Sequence, residues 1–318
     1  MNEFLEPFER MLETLSTPAA VRGAEAGESV GALWRGVAES GFLDALVTEE
    51  RGGAGLALVD VGPLWLALGR HAVPMPVGET MIARALLPDA PEGPIALAVA
   101  RPGVEIVVPC GRTATHVLLE MDGVLHLVEA AGEPTGLFGS LAARMRWDAA
   151  PGRVLNVAPP AGGLRVLGAI LRAALIAGAA DRLTAMTAAY AGERVQFGKP
   201  IGRQQALQQQ MAVMAEDMVA CRIAAQLGCA EGLPPSLAAA ATAKSVASAA
   251  AGRIAATAHA VHGAIGISEE YDLQLYTRRL HEWRLADGGE TYWNRLLGAA
   301  RLRDPQGSVD YVRENLAS

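Results

Sequence analysis

The chain has 318 residues, enough to bury a large core in two or three packed modules. Hydrophobic residues make up 51% and charged residues 19%, which excludes a disordered chain, and the alanine-rich apolar share favours helix. The formal charge of -7, with no run of Lys and Arg, argues against a surface built to neutralise nucleic-acid phosphates.

The first segment, MNEFLEPFERMLETL, has the spacing of an amphipathic helix and lacks the basic start and apolar block of a signal peptide. A second helix is expected from Ser29 to Ser40, stopped at Gly41. The glycines of Gly52-Gly53-Ala54-Gly55 read as a tight turn, because no strand leads into them and acidic residues precede them. A helix from Leu58 to Leu68 follows, then a break at Pro74 and Pro76 and another short helix.

Residues 93–160 change character. Pro94 to Val99 and Glu105 to Pro109 are short β-like runs, and His116 to Glu120 and Val124 to Val128 flank Asp122-Gly123, a strong hairpin signal. With a further strand at Met145 to Trp147, these predict a small antiparallel β domain closed by Pro151 and Gly152. The apolar stretch from Val166 to Ala180 is interrupted by Arg172, is too short to span a bilayer and reads as a buried helix.

A long helix is expected from Gln204 to Gly228, with Leu207, Met211, Met214, Met218, Cys221 and Ala225 on one packed face. Pro234-Pro235 separates it from an alanine-rich helix from Leu237 to His262. The expected fold is therefore mainly α with a small middle β domain: a helical domain at 1–92, β domain at 93–160 and helical bundle at 161–318. Cys110, Cys221 and Cys229 lack metal-site spacing and read as reduced thiols, so a cytoplasmic chain with no bound metal is expected.

Two motifs resemble the acyl-CoA dehydrogenase family. Arg194-Val195-Gln196-Phe197-Gly198-Lys199-Pro200-Ile201 is similar to its R-x-x-F-G-K/R-x-I turn between the first two bundle helices. His262-Gly263-Ala264-Ile265-Gly266-Ile267-Ser268-Glu269-Glu270-Tyr271, with Arg278-Arg279 after it, is similar to the family's G-G-x-G-x-x-x-E-Y segment. The order of helices, β module and four-helix bundle matches as well. The resemblance implies an FAD-dependent α,β-desaturation of an acyl-CoA thioester, with an electron-transfer flavoprotein as acceptor. It also implies that Arg194, Gln196, Phe197, Gly263, Ala264 and Gly266 touch a flavin nucleotide across a subunit interface. From the residues alone, Arg194 could instead pair with Glu193 or Glu216, with Phe197 in the core.

The sequence also departs from that family. The T-E-P-x-x-G-S-D and W-I-T segments, which hold the flavin ring, are missing from the short β domain. Ala260 stands where a nucleotide-facing glutamine is usual, and Ala264 replaces the second glycine. The E-G-T catalytic glutamate is represented by Asp287-Gly288-Gly289, so the candidate bases are Asp287 and Glu290, either of which could instead cap the following helix. The first bundle helix, Leu167 to Arg172, carries no carboxylate where some family members place the base. This pattern resembles the heteromeric dehydrogenases of steroid side-chain degradation. It implies a short subunit sharing flavin with an unlike partner in an α2β2 assembly, with a self-sufficient homodimer or a non-catalytic subunit as alternatives.

Overall fold

A computed structural model describes residues 3–149, 151–230 and 232–316. The N-terminal third is helical: α1 (Leu5–Leu15), α2 (Pro18–Glu25), α3 (Gly31–Glu39), α4 (Leu58–Arg70) and α5 (Val77–Leu86). α2 starts as its sequence dictates: Thr17 accepts from the Ala20 amide at 3.3 Å and Pro18 supplies a preset first turn. α1 buries Phe8 and Leu12 against α4, contacts worth roughly 1.5–3 kcal/mol per side chain. The glycine-rich segment is a turn, with Gly52 in the left-handed region at φ +83°.

The strands are β1 (Ile95–Ala100), β2 (Ile106–Val108), β3 (His116–Met121), β4 (Val124–Glu129), β5 (Glu133–Pro134), β6 (Ala143–Met145) and β7 (Arg153–Val154). Asp122 and Gly123 form the expected hairpin loop, both at positive φ, with Met121 opposite Val124. The module is not wholly antiparallel, however. β1 pairs in parallel with β3, because the chain between them leaves for a second sheet through β2 and returns in the same direction. The sheets have the orders β1-β3-β4-β7 and β2-β6-β5, and Val117, Leu119 and Met145 lie in the apolar layer they share. Pro151 and Gly152 do not close the module: Gly152, at φ +69°, turns the chain into β7, which joins β4.

The C-terminal half comprises α6 (Gly163–Glu193), a hairpin of β8 (Val195–Gln196) and β9 (Lys199–Pro200), then α7 (Gln205–Gly228), α8 (Leu237–His262), α9 (Leu273–Leu285), α10 (Glu290–Arg303) and α11 (Ser308–Leu316). At 31 residues α6 is longer than its apolar stretch and passes the length and composition test for a membrane span. Its most apolar window is 89% buried inside the protein, where α6 packs on α4, α7, α8 and α9. Alanine and glycine let these helices approach closely. A Cβ on Gly178 would lie 1.8 Å from the Leu66 carbonyl oxygen, and one on Gly69 would lie 2.1 Å from that of Leu175. The expected face of α7 is only partly sealed: Met214, Cys221 and Ala225 are buried, while Leu207, Met211 and Met218 are half-buried. α8 begins at Ser236, whose hydroxyl accepts from the Ala239 amide at 3.1 Å.

Candidate functional site

The sequence-predicted residues fall into two groups, at opposite ends of α8. At the first, α6 ends and the chain turns through the β8–β9 hairpin, with Gln196 opposite Lys199 and Phe197 and Gly198 at φ +52° and +76°. Phe197 is 92% exposed, so it is not a core residue. The Arg194 side chain is also exposed and, among the described residues, makes no ion pair with Glu193 or Glu216. Gln196 is exposed beside it.

The glycine segment sits against the base of this hairpin. Tyr190 stacks on His262 at 4.4 Å between centroids and donates from its hydroxyl to the His262 carbonyl at 3.4 Å. Ala191, Ile201 and Val261 share a small apolar cluster there. Gly263 and Ala264 are exposed in a single 3-10 turn spanning Gly263–Ile267. Gly266 is buried, and a Cβ there would come within 3.0 Å of both His262 and Leu273 side chains. Thus two motifs some seventy residues apart in sequence form one outward-facing surface. A guanidinium fork, a side-chain amide, an aromatic face and the open backbone at Gly198 and Gly263 can receive a flat ring and a phosphate. His262 itself packs: Nδ1 lies 2.8 Å from the Ala258 carbonyl, and burial pulls the imidazole below its ordinary value.

The second group borders a cavity of about 950 Å³ between the strands and the α9–α10 connection. Val107, Val108, Phe138, Leu285, Arg278 and Asp287 lie on its walls. Arg278 donates to the Phe138 carbonyl at 3.0 Å and to Glu25 at 2.6 Å, and Arg279 reaches the same carboxylate at 3.1 Å. This arginine pair therefore ties α2, the strand module and α9 together.

Asp287 reaches the cavity wall but is already engaged. Its backbone is left-handed at φ +56°, fixed by the Trp293 indole, which donates to the carbonyls of Asp287 and Gly288 at 3.1 Å each. Its carboxylate accepts from Arg172 Nε at 3.2 Å, and the same guanidinium lies 2.6 Å from Glu79 Oε1. Arg172 and Glu79 are almost wholly buried. Burial alone would lower the Arg172 guanidinium, but Glu79 and Asp287 outweigh it and hold the group above its ordinary value. Gly168 makes room for the carboxylate: a Cβ there would sit 2.6 Å from Asp287 Cγ. Glu290 does not line this cavity. It begins α10 and is ion-paired to Arg284, whose hydrogen bond holds its carboxyl below the usual carboxylate range. Neither side chain caps α10.

Sequence reasoning missed three of these groups. Glu79 and Arg172 gave a signal, since a charge inside an apolar run must find a buried partner, but its identity lay far away in sequence. Lys244 was hidden in the alanine-rich helix. Its Nζ is fully buried and donates to Ser248 Oγ at 2.8 Å and to the carbonyls of Trp283 and Arg284 at 2.9 and 2.8 Å. It thereby satisfies the last turn of α9, while burial lowers the amine to about 7. No group of His, Cys, Asp and Glu able to hold a metal is present among the described residues.

Comparison with known proteins places this geometry in context. Residues 166–302 match the family described as acyl-CoA dehydrogenase, C-terminal domain. The acyl-CoA dehydrogenase IpdE2 of Mycobacterium tuberculosis is 33% identical over 283 residues, covering 83% of this chain and 85% of that protein. FadE34 of the same organism is 35% identical over 321 residues, which are 88% of this chain but 44% of FadE34. Among solved structures, a variant of the Tcur3481-Tcur3483 steroid ACAD superposes with a TM-score of 0.81 at 26% identity, covering 95% of this chain and 98% of that one. The ChsE4-ChsE5 complex of Mycobacterium tuberculosis contains a chain of the same fold, with a TM-score of 0.80 at 23% identity and 96% and 98% coverage. With two motifs joined on one surface, a cavity between strands and bundle, and relatives of this similarity along most of its length, the chain belongs to the acyl-CoA dehydrogenase family.

Proposed function

We propose that this chain is a subunit of an FAD-dependent dehydrogenase that desaturates an acyl-CoA thioester between its α and β carbons, sharing a flavin site with a partner subunit in an α2β2 assembly. The observation that carries the reading is the hairpin itself, with Phe197 92% exposed on a left-handed backbone and the Arg194 side chain exposed with no ion pair among the described residues. Phenylalanine and arginine are residue types enriched where one protein surface meets another molecule. In this reading Arg194 and Gln196 bind phosphate and ribose groups of the partner's FAD, Phe197 packs by its adenine, and the Gly263, Ala264 and Gly266 turn gives close backbone approach. Bound flavin supplies the hydride acceptor, and an electron-transfer flavoprotein then receives the electrons. The division at residues 92 and 160 belongs to the same proposal: a short middle module leaves this chain's own ring site incomplete.

The ion pair to Arg172 counts against Asp287 as the base, because protonating the carboxylate would give up its attraction to a buried cation. Glu290 is likewise engaged by Arg284. The base is therefore assigned to the partner. One observation favours a second reading, a self-sufficient homodimer: Asp287 does reach the wall of the large cavity. The deciding measurement is the absorbance spectrum of the chain purified alone and after coexpression with a partner dehydrogenase. A colourless chain and a yellow complex are expected. A yellow, active chain on its own, inactivated by Asp287→Asn with flavin retained, would establish the homodimer instead.

A further inference from the structure

Arg165 stands in the first turn of α6, where a cation opposes the positive end of the helix. Among the described residues it has no carboxylate at ion-pair distance. Two carboxylates line a cavity with it: Glu120, which accepts from the Leu164 amide at 2.6 Å, and Asp122. The guanidinium lies over the Tyr292 ring at 5.2 Å, a contact that fixes its plane without neutralising it. It borders two cavities at once: the 950 Å³ space that reaches Asp287, and an adjoining space of about 580 Å³. The smaller space sets Arg101 against the carboxylates of Glu120 and Asp122, whereas Arg144 adds a further cation to the larger, so the charge that favours an anion lies on the larger side. Of the two carboxylates that line the larger space, Asp287 is engaged by Arg172 and Glu282 makes no ion pair with Arg165.

We infer that Arg165 is a binding residue for an oxyanion of the ligand that threads these two cavities, placed at their junction and oriented by Tyr292. Its planar fork matches a phosphate or a carboxylate in two-point contact. Two parts of a thioester could supply that group: a phosphate of its nucleotide half, or a carboxylate at the far end of its acyl half. This rests on the acyl-CoA reading above and adds to it the residue that selects a charged group.

The test uses the chain as coexpressed with its partner and measures binding directly by calorimetry, so that it does not depend on turnover. The probes are coenzyme A, pantetheine, and a matched pair of acyl-CoA thioesters with and without a terminal carboxylate. Arg165→Met is expected to weaken one probe by about ten- to a hundred-fold, with Arg165→Lys recovering part of the loss. Weakened coenzyme A with unchanged pantetheine assigns the phosphate. A loss confined to the carboxylate-ended thioester assigns the acyl terminus. Equal affinity of wild type and Arg165→Met for every probe overturns the inference, as does a loss of flavin from the variant, which would make the cation a cofactor contact. Failure of the acyl-CoA reading is distinct: the wild-type complex would then bind none of the thioesters.

Discussion

The two ends of α8 treat charge in opposite ways. Near Lys244, a guanidinium, two carboxylates and an amine are withdrawn from water and satisfied within the chain. Near His262, an arginine, an amide and a phenylalanine are held out on a two-residue hairpin with no internal partner among the described residues. Both ends carry family-like motifs, so motif matching alone would call both functional. Their surroundings separate them: the first end spends its polar groups on folding, and the second leaves them exposed.

The strongest way to break this contrast is to remove Arg172. Arg172→Met should cost about 3–5 kcal/mol in urea unfolding, because Glu79 and Asp287 would stay buried without their common cation. Loss of less than about 1 kcal/mol would mean that water reaches both carboxylates and that the cluster is not a folding element. Next in size is Gly168→Ala, whose methyl group would enter the space of the Asp287 carboxylate and should cost about 1–3 kcal/mol. If that variant is neutral, the α9–α10 connection can move, and Asp287 regains standing as a base.

A pH series sharpens the same end. The Lys244 amine is at about 7 in the folded chain and 10.5 as its ordinary value, so between those limits the unfolded chain holds more protons. Stability from this group therefore rises with pH from about 7 towards 10.5 and is flat below that window. Lys244→Met removes the rise, so wild type should gain on the variant between pH 7 and pH 10 in paired denaturant titrations. Cys221 and Cys229, pushed up to about 12 by burial, act in the opposite sense at high pH but are common to both proteins and cancel in the difference. A constant difference across the series would show that the amine stays hydrated.

What the sequence made legible follows the range of the forces involved. Local signals placed α8 at Leu237 to His262, after the break at Pro234-Pro235, and the hairpin loop at Asp122-Gly123, because chain breaks and turn geometry act over a few residues. The parallel pairing of β1 with β3 was missed, since it depends on where β2 goes after it leaves the first sheet. The candidate base was missed in a different way: Asp287 was found by spacing, but its engagement depends on Glu79 and Arg172, far away in sequence. Phe197 could be read as core or as contact, and only the loop geometry separates the two.

The smallest expected effect on stability is also the most informative about the outward end. Phe197→Ala and Arg194→Ala touch nothing inside the fold, so each should shift unfolding by no more than about 0.5 kcal/mol. Phe197 is the subtler case, because its left-handed backbone is disfavoured for any side chain and alanine does not relieve that. The measurement that matters is flavin absorbance per chain in the copurified complex, where both variants should lose cofactor while the subunits still copurify. A large change in stability with flavin retained would place these side chains in the subunit contact and not on the nucleotide. A loss of both together would be met by Arg194→Lys: if flavin returns only in part while assembly is restored, the guanidinium fork is binding phosphate, since an ammonium keeps the charge and loses the two-point geometry.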